Sequence, residues 1–285
     1  MSVAPTAGRV PLPVFFLLAF LVSWAGTIPM LWASYAGAAA VPAAVRPLQL
    51  LMLVGPGLTA VFVARREGGG AAVRALLAKL LRWRVSPVWY AAVLLGPAVL
   101  FGGALLLARV LGVSHAQVPP LSTVLPAFLQ SLALYLVLNT EELAWRGYAW
   151  PRLRELFGAL RASLLLGVIW ALFHAPLFLL KGGHPAGYPP LLFGTMLVAF
   201  GVLFAATYEG TGGSVLMAHL LHQAMNAWGD ALPVYPRATG SVLPIAIATT
   251  ACVALAIVGA RLLGWRWSAA AFTDRTTPSG RAGAS

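Results

Sequence analysis

The sequence predicts an all-α, polytopic membrane protein with about eight transmembrane helices and one interfacial amphipathic helix. Hydrophobic residues make up 60% of the 285 positions, charged residues make up only 9%, and long apolar runs recur along the chain. Soluble domains carry far more charge, so this composition is typical of a protein embedded in a bilayer. One integral domain, residues 1–272, accounts for most of the length. The tail, residues 273–285, is rich in Gly, Ser, Thr and Arg, and we expect it to be disordered.

Eight apolar segments are long enough, or nearly so, to cross the ~30 Å hydrocarbon core of a membrane. They lie near residues 13–36, 47–64, 88–111, 123–149, 160–180, 189–208, 213–229 and 241–263. The first segment is longer than the apolar region of a usual signal peptide, so we interpret it as a retained span. The seventh is the shortest, which suits a helix that is packed among others.

The distribution of basic residues predicts how the spans are oriented. The net charge is +12, and within residues 65–85 apolar and basic residues alternate at helical spacing, as in an amphipathic helix at a membrane surface. Further basic clusters follow the fourth and eighth spans, whereas the loops on the other side carry little charge. The positive-inside rule then places both termini in the cytoplasm of a multi-pass protein of the cell membrane. The same distribution explains the basic charge without nucleic acid as a partner.

Two adjacent glutamates lie at the end of the fourth apolar segment. Glu141 and Glu142 are followed by Arg146, and the whole chain has only seven acidic residues. An ionised carboxylate in apolar surroundings is costly unless it is paired, hydrated or functional. On a helix Glu142 and Arg146 can pair, whereas Glu141 points elsewhere and is free to face a cavity, which we expect to open toward the cytoplasm. The alternative is a helix end at the membrane surface, with all three charges in water.

Histidines lie within the fifth and seventh apolar segments. His174 follows Trp170 by four residues, and His222 precedes Asn226 by four, so each pair shares one helical face. His219, three residues before His222, is interpreted as a supporting or packing residue. Core packing alone gives no reason for this concentration of imidazoles in apolar sequence.

Together these groups suit the hydrolysis of an amide bond. Glu141 could deprotonate a water molecule. His174 and His222 could ligate zinc, with an open position for that water, or they could donate hydrogen bonds to an oxyanion together with Asn226. The helical HExxH signature of zinc proteases is absent from the sequence, so both versions remain open. Cys252 has no histidine near it in the sequence, which disfavours a cysteine nucleophile.

Three short motifs resemble those of the CAAX prenyl protease and bacteriocin-processing family, also called CPBP or Abi. The family patterns are EExxxR, FxxxH and HxxxN, and the matching stretches are Glu141-Glu142-Leu-Ala-Trp-Arg146, Trp170-Ala-Leu-Phe-His174 and His222-Gln-Ala-Met-Asn226. The motifs occur in the family's order within residues 120–230. Trp170 replaces the usual Phe, and we interpret it as an aromatic side chain that packs against the pocket.

The resemblance implies an eight-helix intramembrane endopeptidase, a hydrolase that depends on a glutamate or on a metal and would then be a metalloprotease. The catalytic residues that it implies are Glu141 to activate water, Glu142 and Arg146 to support it, and His174, His222 and Asn226 to complete the site. Zinc is the one cofactor considered, with His174 and His222 as its ligands if a metal is used. Eukaryotic relatives remove the last three residues of prenylated CAAX proteins, so the implied partners are the lipid bilayer and a peptide or prenylated-protein substrate.

Two other functions remain open. A proton-coupled transporter could use the glutamates and histidines as a relay, although the sequence shows no inverted repeat. A non-catalytic membrane scaffold or bacteriocin-immunity protein could keep the same fold without turnover. Such a protein would have no need of the complete set of Glu, His and Asn side chains.

Overall fold

The computed structural model describes residues 8–36, 43–113, 116–181 and 187–265. Within these ranges every regular element is a helix, which confirms the all-α fold class. The predicted disordered tail, residues 273–285, lies outside the described residues, as do the basic residues Arg266, Arg275 and Arg281.

The α-helices of the described chain are numbered in chain order. They are α1 (Leu12–Tyr35), α2 (Leu51–Leu77), α3 (Pro87–Val110), α4 (Leu121–Leu138), α5 (Trp150–Phe157), α6 (Ala159–Phe173), α7 (Ala175–Leu179), α8 (Pro190–Gly210), α9 (Val215–Ala231), α10 (Pro236–Thr239) and α11 (Leu243–Leu262). Short 3₁₀ helices at Ala43–Leu50 and Ala78–Leu81 flank α2, and a π-helical segment, Leu143–Ala149, precedes α5.

Seven helical stretches in the described chain are long and apolar enough to cross a membrane. They match the first six predicted spans and the eighth, and they make the chain a multi-pass membrane protein. The seventh predicted span forms α9, which has only 17 residues and packs against α3, α4 and α8. A helix surrounded in this way can carry more polar side chains than one that faces lipid.

Local sequence signals set where several helices begin. Helices α1, α3, α8 and α11 each carry a proline in the first turn, where its missing N–H costs nothing. Helix α9 instead begins at Ser214, whose Oγ accepts a hydrogen bond from the backbone N–H of Met217 at 3.2 Å. In α2 the chain bends at Gly69, which has a φ of 60°, so the apolar and basic parts of that helix run in different directions.

The antiparallel helices give the bundle two distinct ends. At one end Ser214 Oγ donates to the carbonyl of Arg82 at 2.7 Å, and Val10 N–H donates to Glu67 at 2.9 Å. We call this the basic end, because these positively charged residues lie there: Arg9, Arg65, Arg66, Arg74, Lys79, Arg82, Arg84, Arg152, Arg154, Arg161 and Arg261. At the opposite end, called the far end, Tyr35 Oη donates to the carbonyl of Leu179 at 2.9 Å. The described basic side chains toward the far end are Arg109, Lys181 and Arg237.

The fourth predicted span, residues 123–149, is not one continuous helix. Helix α4 ends at Leu138, residues 139–140 are not helical, and a helical turn resumes at 141. Thr140 docks on α2, where its N–H donates to the carbonyl of Leu53 at 2.9 Å and its Oγ1 donates to that of Val54 at 3.0 Å. Gly57 allows this close approach, since a Cβ there would clash with the Thr140 side chain. The break therefore places the two glutamates at the start of a new helical segment inside the bundle.

Candidate active site

The structure brings the residues of all three motifs together midway between the two ends of the bundle. Trp24, at the middle of α1, donates from its indole N–H to the carbonyl of Phe173 at 2.9 Å, which fixes the end of α6 at that depth. The ring of Trp170 lies 5.8 Å from that of His174 and 5.0 Å from that of His222. Segments from the fourth, fifth and seventh predicted spans therefore meet at one depth in the bundle.

Glu142 is the centre of a buried charged cluster. Its Oε1 accepts a hydrogen bond from Nη1 of Arg146 at 3.0 Å and another from Nδ1 of His222 at 3.0 Å. The side chains of Glu142 and Arg146 are fully buried, so these charges are not in water at a helix end. Because a carboxylate only accepts, Nδ1 of His222 carries the proton and Nε2 is the nitrogen left for other partners.

Aromatic rings cover the guanidinium of Arg146. Its Cζ lies 4.7 Å from the ring centre of Phe204 and 5.3 Å from that of Trp170. Among the described residues, Nε and Nη2 of Arg146 have no hydrogen-bond acceptor. The faces of the two rings therefore supply part of the stabilisation that water would give to an exposed guanidinium.

Glu141 is held by three hydrogen-bond donors. Its Oε2 accepts from the indole N–H of Trp170 at 2.7 Å and from that of Trp145 at 2.9 Å. Its Oε1 accepts only a longer bond, 3.3 Å, from the amide of Asn139, whose Oδ1 in turn accepts the backbone N–H of Glu141. Oε1 is therefore the oxygen with room for a further partner.

The sequence predicts that Trp170 packs against the pocket. In the structure, its side chain also makes a hydrogen bond. Its indole N–H donates to the carboxylate of Glu141, which a phenylalanine could not do. Asn139 and Trp145 were not predicted at all. Their closeness to Glu141 in the sequence could have predicted them. Both lie within four residues of Glu141, and both carry a side-chain N–H group, which a buried carboxylate requires.

A break in α6 orients His174. Pro176 cannot supply a backbone N–H, and the N–H of His174 turns to the carbonyl of Ala171. The carbonyl of Trp170 is thereby available to Nδ1 of His174, which donates to it at 2.8 Å. Nε2 of this imidazole is then the free nitrogen, as it is in His222.

His219 ties α9 to the end of α4. Its Nε2 lies 3.1 Å from the carbonyl of Leu136, and its Nδ1 lies 3.2 Å from the amide nitrogen of Gln223. Gln223 in turn accepts a long bond, 3.4 Å, from the amide of Asn226. These contacts agree with the interpretation of His219 as a supporting residue.

A cavity of about 90 Å³ lies beside the site. Trp170, His174, His222 and Asn226 line its inner part, and Glu141, which does not itself line the cavity, accepts the indole N–H of Trp170. The outer part is lined by Tyr188, Asp230, Tyr235 and Ile245, all of which belong to the far end of the bundle.

The cavity therefore opens toward the far end, and the expected opening toward the basic end is wrong. Buried large side chains, including Trp145, Arg146, Tyr148 and Trp150, close the path from Glu141 toward the basic end. The expectation treated residues 123–149 as one continuous helix, whereas the chain breaks at residues 139–140.

Within the described residues, the side chains do not complete a zinc site on their own. The free Nε2 atoms of His174 and His222, each with Nδ1 held by an acceptor, are oriented as metal-binding imidazoles usually are. A catalytic zinc needs three protein ligands. Within the described part of the chain no three His, Cys, Asp or Glu side chains form a group suited to a metal ion.

Comparison with known proteins links this region to one group of membrane proteases. Residues 122–228 match the family model described as "Type II CAAX prenyl endopeptidase Rce1-like". A stretch of 51 residues is 39% identical to a protein named CAAX prenyl protease 2 from Methanococcus maripaludis, and it spans 18% of this chain and 19% of that protein. The residues matched by the family model contain all three motifs of the buried site.

Proposed function

We propose that the chain is a membrane protease of the Rce1-like CAAX prenyl endopeptidase type, which the match over residues 122–228 supports, and that it hydrolyses a peptide bond with a water molecule activated by Glu141. The observation that carries this proposal is the asymmetry of the Glu141 carboxylate. Two indole N–H groups hold Oε2 at 2.7 and 2.9 Å, whereas Oε1 has only the 3.3 Å bond from Asn139. Oε2 fixes the orientation of the carboxylate, and Oε1 takes the proton.

The proposed reaction transfers one proton through Glu141. Oε1 removes a proton from water as the water oxygen bonds to the carbonyl carbon of the substrate, and the carbonyl oxygen becomes an oxyanion. When the C–N bond breaks, Glu141 returns the proton to the leaving nitrogen. A fixed carboxylate suits this cycle because it must act as a base and then as an acid from one position.

His222 supplies the charge that stabilises the oxyanion. Glu141 and Glu142 carry two negative charges and Arg146 carries one positive charge, so these three buried side chains have a net charge of −1. Protonated His222 would balance it, with Nδ1 already held by Glu142 at 3.0 Å. Its Nε2–H is then a charged donor for the oxyanion, and the amide of Asn226 is a second donor on the next turn of α9.

The distribution of basic residues supports an orientation for this site. We place the basic end and both termini in the cytoplasm, following the positive-inside rule for a protein of the cell membrane. The cavity, which opens toward the far end, then receives its substrate from the side of the membrane opposite the cytoplasm.

Comparing peptide termini in cells tests the proposed activity even while the substrate is unidentified. Cells with the wild-type protein should contain new termini that are absent from cells with the Glu141→Gln variant at equal abundance. Identical sets of termini would contradict hydrolysis and would favour a membrane scaffold or immunity protein.

A further inference from the structure

Asp230 lies at the outer part of the cavity and takes no part in the proposed reaction. It follows Asn226 by four residues and His222 by eight on α9, so all three side chains lie on one face of that helix. All three line the same cavity, and Asp230 is exposed. A carboxylate therefore stands where the cavity opens.

Two hydroxyl groups from α4 hold this carboxylate in place. The side chains of Tyr135 and Ser131 both hydrogen-bond to Asp230. Tyr135 also lines the cavity. Both hydroxyls are donors toward a carboxylate, which is an acceptor, so they fix the direction in which the carboxylate faces.

No free positive charge from the described lining balances a second carboxylate in the cavity. Among the described residues that line it there is no lysine and no arginine. The one charge that the proposed reaction places there belongs to His222, which Glu142 already holds. A substrate that brings its own carboxylate into this space meets the carboxylate of Asp230, and two like charges at close range repel each other.

We propose that Asp230 is a specificity-determining residue that excludes a free C-terminal carboxylate close to the scissile bond. The substrate class of the site is then an internal stretch of polypeptide, uncharged or positively charged near the cleaved bond. This inference rests on the proposed hydrolytic function of the same site. It disfavours a CAAX protein, in which the C-terminal carboxylate lies three residues beyond the scissile bond.

A binding measurement separates this inference from the question of turnover. Two peptides of one apolar sequence, one ending in a carboxylate and one in an amide, are titrated against the reconstituted Glu141→Gln protein. The amide should bind at least about tenfold more tightly, the effect of one close like-charge pair that is partly screened. Asp230→Asn in the same background should reduce the difference to about twofold or less, whereas Asp230→Glu should keep it.

Glu155→Gln is the matched control, because it removes an exposed carboxylate at the basic end and should leave the preference unchanged. Equal binding of the two peptides, tighter binding of the carboxylate form, or a preference that survives Asp230→Asn would overturn the inference. Cleavage of neither peptide by the wild-type protein, with the binding preference intact, would count against hydrolysis and still support the role of Asp230. Equal cleavage and equal binding of both would support hydrolysis and refute that role.

Discussion

Replacing Trp170 with phenylalanine tests whether its indole N–H holds Glu141 for the reaction. The variant removes a 2.7 Å hydrogen bond to a carboxylate while keeping an aromatic ring at the position. Hydrogen bonds to charged groups contribute about 1.5–3 kcal/mol, so we expect the free energy of unfolding to fall by about that amount. The N–H of Trp145 remains on the same oxygen, so the side chain of Glu141 should lose orientation and keep its buried position.

The rate should fall as well, because the carboxylate then samples orientations from which Oε1 cannot reach the water. A loss of 1.5–3 kcal/mol of positioning corresponds to roughly 10- to 100-fold in kcat, since about 1.4 kcal/mol is a factor of ten. Thermal unfolding of the purified protein and peptide cleavage by reconstituted protein measure the two effects.

A double-mutant cycle separates the hydrogen bond from the loss of ring volume. In a Glu141→Ala background, Trp170→Phe should cost at least about 1 kcal/mol less stability than in the wild type, the usual range for coupled neighbours. Trp24→Phe is the control, since it removes an indole bond of 2.9 Å to the carbonyl of Phe173 and should show no coupling to Glu141. An equal cost of Trp170→Phe in both backgrounds would mean that packing alone explains the residue and would refute the reasoning.

Three further changes test other parts of the site. Arg146→Ala leaves Glu142 buried without the guanidinium that pairs with it and should lower the free energy of unfolding by roughly 3–5 kcal/mol, whereas unchanged thermal unfolding would refute the paired cluster. Because the described side chains form no group of three metal ligands, turnover should survive exhaustive chelation, and stoichiometric zinc that disappears in His222→Ala would show the opposite. A cysteine at position 75 should be labelled only from the cytoplasm, and one at position 237 only from outside. Buried Cys252 should give little background. The reverse labelling pattern would show that the proposed orientation in the membrane is wrong.

Much of the fold could be predicted because the bilayer imposes strong rules on sequence. Apolar runs of spanning length predicted seven of the spans, since every backbone group in lipid must be paired within a helix. The break at Asn139 and Thr140 could not be predicted, because it depends on the carbonyls of Leu53 and Val54 and on the absence of a side chain at Gly57. Those contacts join residues that are far apart in the sequence, so no periodic pattern of apolar residues predicts them.

The site shows the same division between local and tertiary contacts. The pairing of Glu142 with Arg146 followed from helical spacing and is present. The contact of Glu142 with His222 joins residues 80 positions apart, and the indole bonds to Glu141 depend on how the new segment enters the bundle after the break. The direction of the cavity depends on which end the large side chains fill, which a sequence pattern does not specify.

The rate of peptide cleavage by reconstituted Glu141→Gln protein tests the central claim most directly. Glutamine keeps the size of the side chain and an oxygen that can accept the indole N–H groups, but it cannot take a proton from water. The variant should therefore unfold at a temperature close to that of the wild type and should cleave the amidated apolar peptide at least ~100-fold more slowly, the usual contribution of a general base. Cleavage at the wild-type rate by a folded Glu141→Gln protein would contradict the account.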